Sequence, residues 1–170
     1  MKAKRYITHL LCLVTLTGLV ITGCAPVISQ EALKEVDQSV RFEELLENPQ
    51  AYRGRTVLLG GDIIETQNLP EKTLIIVLQR PLGFQKKPAA DGLSKGRFIV
   101  SAPGFLDPAI YRPHRKITVV GVVAGKEIRS LGEVEYTYPI ISKRELHVWP
   151  SEDSPKEPKV HFGIGIGIGL

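Results

Sequence analysis

Apolar and polar positions fall into blocks along this chain, and each block has the length of one structural element. The first, 7–21, is a mostly apolar run behind Lys2, Lys4 and Arg5. Further on, Phe42, Leu45 and Leu46 stand at i, i+3 and i+4, the spacing of an amphipathic helix. Asn48-Pro49 ends that helix, because a residue ahead of proline is pushed out of the α region. After a turn at Gly54 the period changes to that of strands. The stretch 56–65 (TVLLGGDIIE) is aliphatic and β-branched, and 73–79 (TLIIVLQ) is apolar on both faces, as a central strand requires. More strands are expected at 96–101 (GRFIVS), 116–124 (KITVVGVVA), 133–141 (EVEYTYPII) and 145–149 (ELHVW). Between them, 68–72 reads as a hairpin loop and 83–96 as a surface loop holding Lys86, Lys87 and Lys95. The segment 103–111 reads as a connector with one helical turn from Asp107-Pro108, and 125–132 (GKEIRSLG) as a turn. Glycine inside a strand marks a bend or a close backbone approach, so Gly60-Gly61 points to a strand that curves. Five or six short strands with a short helix before the first predict a mainly β fold. A small closed or partly open β-barrel of the OB type is the first expectation and a two-sheet sandwich the second.

One echo crosses this pattern. The stretch 52–61 (YRGRTVLLGG) resembles 111–121 (YRPHRKITVVG) with one residue inserted. In both, a tyrosine ends a short element, a turn follows, and an arginine opens an apolar strand. Convergence on one turn geometry accounts for a single pair better than duplication does, since repeat arrays need at least three units.

The apolar block at 7–21 reads as the core of a secretory signal. It is about 15 residues long against the roughly 20 a membrane-crossing helix needs. It leads into Ile21-Thr22-Gly23-Cys24, a lipobox: cleavage between Gly23 and Cys24, with acylation of the Cys24 thiol and of the new amine. Two or three acyl chains make a durable anchor where one binds only marginally. Ala25, standing where an inner-membrane retention signal would carry Asp, favours sorting to the outer membrane. The expected organisation is a signal peptide at 1–23, a tether at 24–39, a β-barrel domain at 40–149, a disordered Pro-rich charged linker at 150–161 and an apolar tail at 162–170. In that tail Phe162, Ile164, Ile166, Ile168 and Leu170 alternate with glycine. An extended chain would present them on one face, so the tail is either disordered, a strand for its own domain's edge, or a strand donated to a partner or membrane, with disorder the least expected for five large apolar side chains.

Composition narrows the chemistry. The formal charge is +4, yet removing Lys2, Lys4 and Arg5 from the 22 basic residues leaves 19 against 18 acidic ones. A near-neutral mature chain does not invite nucleic acid. Cys12 lies in the signal and Cys24 takes lipid, which leaves no thiol for a disulfide, a metal site or nucleophilic catalysis. His114, His147 and His161 lack a second ligand at metal spacing, and His147, alternating with Leu146 and Val148, is expected to face solvent. No metal, cofactor or catalytic residue is expected. Arg80, Arg97, Asp107 and Glu133 are the polar residues beside apolar strands and turns. Together they would make a polar cleft for a carboxylated or sugar ligand. Separately, Asp107 would cap a turn and Glu133 would pair with an arginine.

The lipobox, 48–54 (NPQAYRG), Gly60-Gly61, 78–82 (LQRPL), 96–98 (GRF), 104–108 (GFLDP), 118–121 (TVVG), Gly132-Glu133 and 136–139 (YTYP) occur in the order that marks the Slp family. The chain resembles these starvation-inducible outer-membrane lipoproteins of Gram-negative bacteria over 21–149, with the Gly-Ile tail outside the resemblance. Position 114 departs from the family, which carries glycine before the arginine. His114 therefore predicts a turn that does not need a positive φ. The resemblance implies an outer-membrane, periplasm-facing lipoprotein with a non-enzymatic structural or scaffolding role under stress, and no catalytic residues. The alternative is an OB-like binding module for an envelope oligosaccharide, peptide or lipid-derived ligand.

Overall fold

In the computed structural model, which describes residues 26–151, five strands follow two short helices. These are α1 (Gln30–Lys34), α2 (Phe42–Glu47), β1 (Thr56–Asn68), β2 (Lys72–Gln79), β3 (Arg97–Pro103), β4 (Lys116–Leu131) and β5 (Val134–Val148), with 3-10 turns at Pro49–Tyr52 and Phe84–Lys86. The strands pair in the order β1-β2-β3-β5-β4 and β4 returns to β1, so the ring is closed. All pairings are antiparallel except β3 with β5. This is the closed mainly β fold the residues predict, in an OB-like arrangement.

Strand alternation puts one set of side chains inside. Val57 and Ile63, Ile75 and Val77, Phe98 and Val100, and Ile117 and Val119 form the core. Helix α2 adds Phe42 and Leu45 to it, and the Phe42 and Phe98 rings meet edge to face at 6.0 Å. At the far end of β2 and β3 the connector 104–115 contributes Leu106 and Tyr111. Thr73, fully buried, secures that connector: its hydroxyl donates to the Gly104 carbonyl and accepts from the Leu106 amide.

Three expectations change here. The stretch 125–132 is not a turn. β4 runs on to Leu131 and β5 is one strand from Val134 to Val148, not two. The reason is a bulge between Val123 and Gly125, where Gly125 takes φ 143, a conformation that glycine alone adopts freely. The strand bends there and keeps pairing, and the two-residue loop Gly132-Glu133 closes the hairpin with φ 64 at its first position. Second, His114 does adopt a positive φ, of 68. The turn keeps the left-handed geometry that the glycine expected there would supply, and histidine is among the side chains that enter this region more readily. Third, much of the segment expected as a tether is docked on the barrel. Ile28 is 1% exposed, and Ser29 caps α1 while its own amide and hydroxyl donate to the two carboxylate oxygens of Glu145. Glu35 pairs with Arg144, and the Asp37 amide donates to the Thr56 carbonyl. A five-residue helix is too short to persist alone, and these contacts are what hold it. Cys24, the linker from 152 onward and the tail at 162–170 lie outside the described residues.

Candidate functional site

The four polar residues singled out from sequence do not converge. Arg80, at the end of β2, donates from Nε to Asp62 Oδ2 at 2.7 Å and from Nη1 to the Gly92 carbonyl at 2.7 Å. It ties β1 to the β2–β3 loop. Arg97 opens β3, where its backbone amide donates to the Tyr136 hydroxyl. Asp107 is exposed at the opposite end of the barrel and caps its own turn, accepting from the Ala109 amide at 2.8 Å. Glu133 is exposed in the β4–β5 loop. The single shared cleft these four would have formed is absent, because the sheet spreads them over three places.

The half-buried Arg80–Asp62 pair instead borders a groove of about 380 Å³ with Leu78, Pro113, His114 and Lys116. Asp62 and Lys116 are Cα partners across β1 and β4, which is why the groove is polar on that side. Asp62 carried no sequence signal beyond following the glycine pair; only the β1–β2 pairing brings it to Arg80.

On the outside of the β2–β3 sheet, the face that OB-type barrels use for ligands, the bent hairpin lies over its own strands. Leu74, Ile76 and Ile99 are covered there by Tyr138 and Tyr136, whose rings meet edge to face at 4.8 Å. Arg129 on the same hairpin donates to Gln67 Oε1 of β1 at 3.1 Å. Among the described residues, no buried side-chain nitrogen or oxygen lacks a hydrogen-bond partner.

A third region surrounds Trp149, the single tryptophan, 6% exposed. Its indole N–H donates to Thr118 Oγ1 at 2.9 Å, and that hydroxyl donates to the Lys86 carbonyl at 2.7 Å. Lys87 stands 5.8 Å over the indole ring, and His147 meets it edge to face at 4.7 Å. His147 is thus half-buried against an aromatic neighbour and not turned freely to solvent, and burial lowers its pKa below 6.5. These contacts pin the β2–β3 loop to β4. Beside them, Pro26, Val27, Ile28, Gln30 and Leu33 form an apolar groove of about 300 Å³ with Gln85 and Lys86.

The architecture is that of a small β-ring domain with its described N-terminus docked on the body. A family model described as the outer membrane lipoprotein Slp family matches residues 21–164. An uncharacterized protein of Haemophilus influenzae is 33% identical over 131 residues, covering 76% of this chain and 70% of that relative. The uncharacterized lipoprotein YeaY of Escherichia coli is 27% identical over 134 residues, covering 78% and 68%. The chain belongs to the Slp family of outer membrane lipoproteins. The match starts at Ile21, so it includes the lipobox, and it runs past 149 to Ile164, into the tail that the sequence resemblance left out.

Proposed function

We propose that this protein is a non-enzymatic lipoprotein, acylated at Cys24 after removal of 1–23, that faces the periplasm and scaffolds envelope components under stress. The observation that carries this reading is the covered β2–β3 face. Tyr136 and Tyr138 occupy the surface where an OB-type barrel would take a ligand. With no buried side-chain nitrogen or oxygen among the described residues left without a partner, the barrel serves as a rigid body, and recognition falls to its surroundings. The alternating apolar tail, Phe162 to Leu170, is the docking strand for a protein partner.

Crosslinking and co-purification from intact envelopes test this, comparing the full chain with one stopped after Pro150. A defined partner that appears only with the full chain supports the scaffold. Matching profiles remove the tail's role.

A binding-module reading retains one specific observation, the groove around Arg80, Asp62 and His114. It requires that cell-wall or lipopolysaccharide fragments raise the thermal midpoint, as any native-state ligand does. An Asp62→Asn change should then abolish that rise.

A further inference from the structure

We propose that the 3-10 turn Phe84–Lys86 is a second membrane contact. In it Phe84 enters the headgroup–acyl boundary of the phospholipid leaflet that holds the chain's own lipid, and Lys86 lies against lipid phosphates. This rests on the reading of Cys24 as the acylated residue.

Pro26 is two steps along the chain from Cys24, and an extended chain covers at most about 3.6 Å per residue, so the lipid root lies within roughly 7 Å of Pro26. Pro26 does not lead into a free tether. Two residues on, Ile28 is buried, and Ser29 is bonded twice to Glu145 of β5. Pro26 is therefore held close to the leaflet, and so is what stands beside it. The neighbours are Gln85 and Lys86, which line the same groove as Pro26, Val27 and Ile28.

The shape of that turn points the same way. Phe84 is 87% exposed, although a phenylalanine in a loop can usually fold back on its domain. Gln85 and Lys86 hold φ of 54 and 63, left-handed conformations that cost energy in residues other than glycine. The turn is held open by the Gly83 amide on the Lys87 carbonyl at 2.8 Å, and is pinned to β4 by Thr118 on the Lys86 carbonyl. A strained, pinned turn that displays an aromatic ring beside an exposed lysine matches the interfacial zone of a bilayer. There aromatic rings sit at headgroup depth and lysine meets anionic lipid. Phe105 is a built-in control: it is 72% exposed, but it lies in the connector at the other end of the barrel.

The test uses the full lipidated protein in vesicles of phosphatidylethanolamine and phosphatidylglycerol. Cys24 is the only cysteine of the mature chain, so Phe84→Cys and Phe105→Cys each take a single polarity-sensitive fluorophore. Insertion to roughly 5–10 Å should blue-shift the probe at 84, with lipid-borne quencher acting about threefold more strongly there than at 105. Lys86→Glu should weaken the quenching at 84. Equal quenching at both positions overturns the proposal and leaves the anchor reading intact. A blue shift at 84 that appears without lipid and grows with protein concentration assigns Phe84 to a second copy of the chain and also overturns it. Mass spectrometry of the N-terminal peptide reads the anchor separately, and an unacylated Cys24 removes both.

Discussion

The turn that feeds β1 and the turn that feeds β4 are two solutions to one problem, at opposite ends of the same strand pair. They are related by 60 positions. The Gly54 amide donates to the Val123 carbonyl and the Val123 amide to the Arg55 carbonyl. Sixty residues on, the His114 amide donates to the Ile63 carbonyl and the Ile63 amide to the Arg115 carbonyl. β1 and β4 pair from Thr56↔Val122 to Asp62↔Lys116, so the two turns face each other across a local two-fold axis near Leu59 and Val119. The likeness goes beyond the turns: the β1–β2 register shifts between Ile63 and Glu65, and the β4–β5 register between Val123 and Gly125. What differs is how each end is tied down. At the first turn Arg55 holds a carboxylate, Asp37 Oδ2 at 3.0 Å, while the Asp37 amide bonds the Thr56 carbonyl. At the second, Arg115 donates Nε and Nη2 to the Trp149 carbonyl at 3.1 and 2.8 Å, while the Trp149 amide bonds the Lys116 carbonyl. One latch is an exposed ion pair and the other a half-buried hydrogen-bonded clasp. The backbone geometry is shared, and the chemistry of the latch is free to vary.

The change that would break the equivalence most severely is at Gly61 or Gly121. A Cβ at Gly61 would meet the Leu78 carbonyl oxygen, and one at Gly121 the Ser142 carbonyl oxygen, both backbone atoms of the paired strand. Alanine at either should cost about 3 kcal/mol or more, since neither strand can move aside without losing its ladder. Urea denaturation followed by Trp149 fluorescence reads this. If one alanine is tolerated and the other is not, the symmetry is of hydrogen bonding only.

The latches come next. Arg115→Ala removes two donors from a half-buried carbonyl and should cost about 2 kcal/mol. Arg55→Ala should cost less, and its effect should shrink as salt rises, because the Arg55 guanidinium is largely exposed. Equal costs, or equal salt dependence, would mean that the carboxylate latch is as enclosed as the carbonyl one.

A smaller, cleaner comparison is the pair of left-handed residues. Nothing stands within 4 Å of a Cβ built on Gly54, so Gly54→Ala tests the dihedral alone and should destabilise by about 1 kcal/mol. His114→Gly should do the reverse by about 0.5–1 kcal/mol, part of the relief being offset by glycine's greater freedom in the unfolded chain. A His114→Gly change that lowers stability would show that the imidazole makes a contact worth more than the strain.

Much of this fold was legible, and the failures share a cause. The run 73–79, apolar on both faces, points to a central strand, and it is buried at Thr73, Leu74, Ile75, Ile76 and Val77. The echo between 52–61 and 111–121 was visible as sequence, but its meaning, two antiparallel neighbours, was not. The stretch 125–132 reads locally as a turn, yet Gly125 permits the bend that lets Tyr136 and Tyr138 reach the β2–β3 face. The docking of 26–39 rests in part on Ser29 with Glu145, 116 residues apart, a pairing that no local stretch reveals. Asp62 with Arg80 is the same kind of case. Local pattern reveals strands and turns, whereas the groove and the latches depend on register, which no short stretch contains.

The smallest predicted effect separates the two latches by pH. His147, packed on Trp149 beside the carbonyl latch, has its pKa lowered by burial, with Glu145 opposing. Asp37, in the carboxylate latch, has its pKa lowered by hydrogen bonds from Ser39 and then by Arg55. Well above pH 6.5 the histidine is neutral in both folded and unfolded chains and has no effect. As pH falls below 6.5 the unfolded chain takes a proton that the folded one refuses, so stability declines until the folded pKa is passed and then levels off. The aspartate acts lower down. Its contribution is complete above 3.8 and is lost as pH falls through its depressed folded value. The stability curve should therefore show two separate acid steps. His147→Gln should remove the upper one and Asp37→Asn should shrink the lower one, each leaving the other in place. Glu43, its pKa lowered by Lys95, also contributes to the lower step. If Asp37→Asn flattened the upper step as well, the two ends of the β1–β4 pair would be coupled, and the shared backbone geometry would be transmitting more than shape.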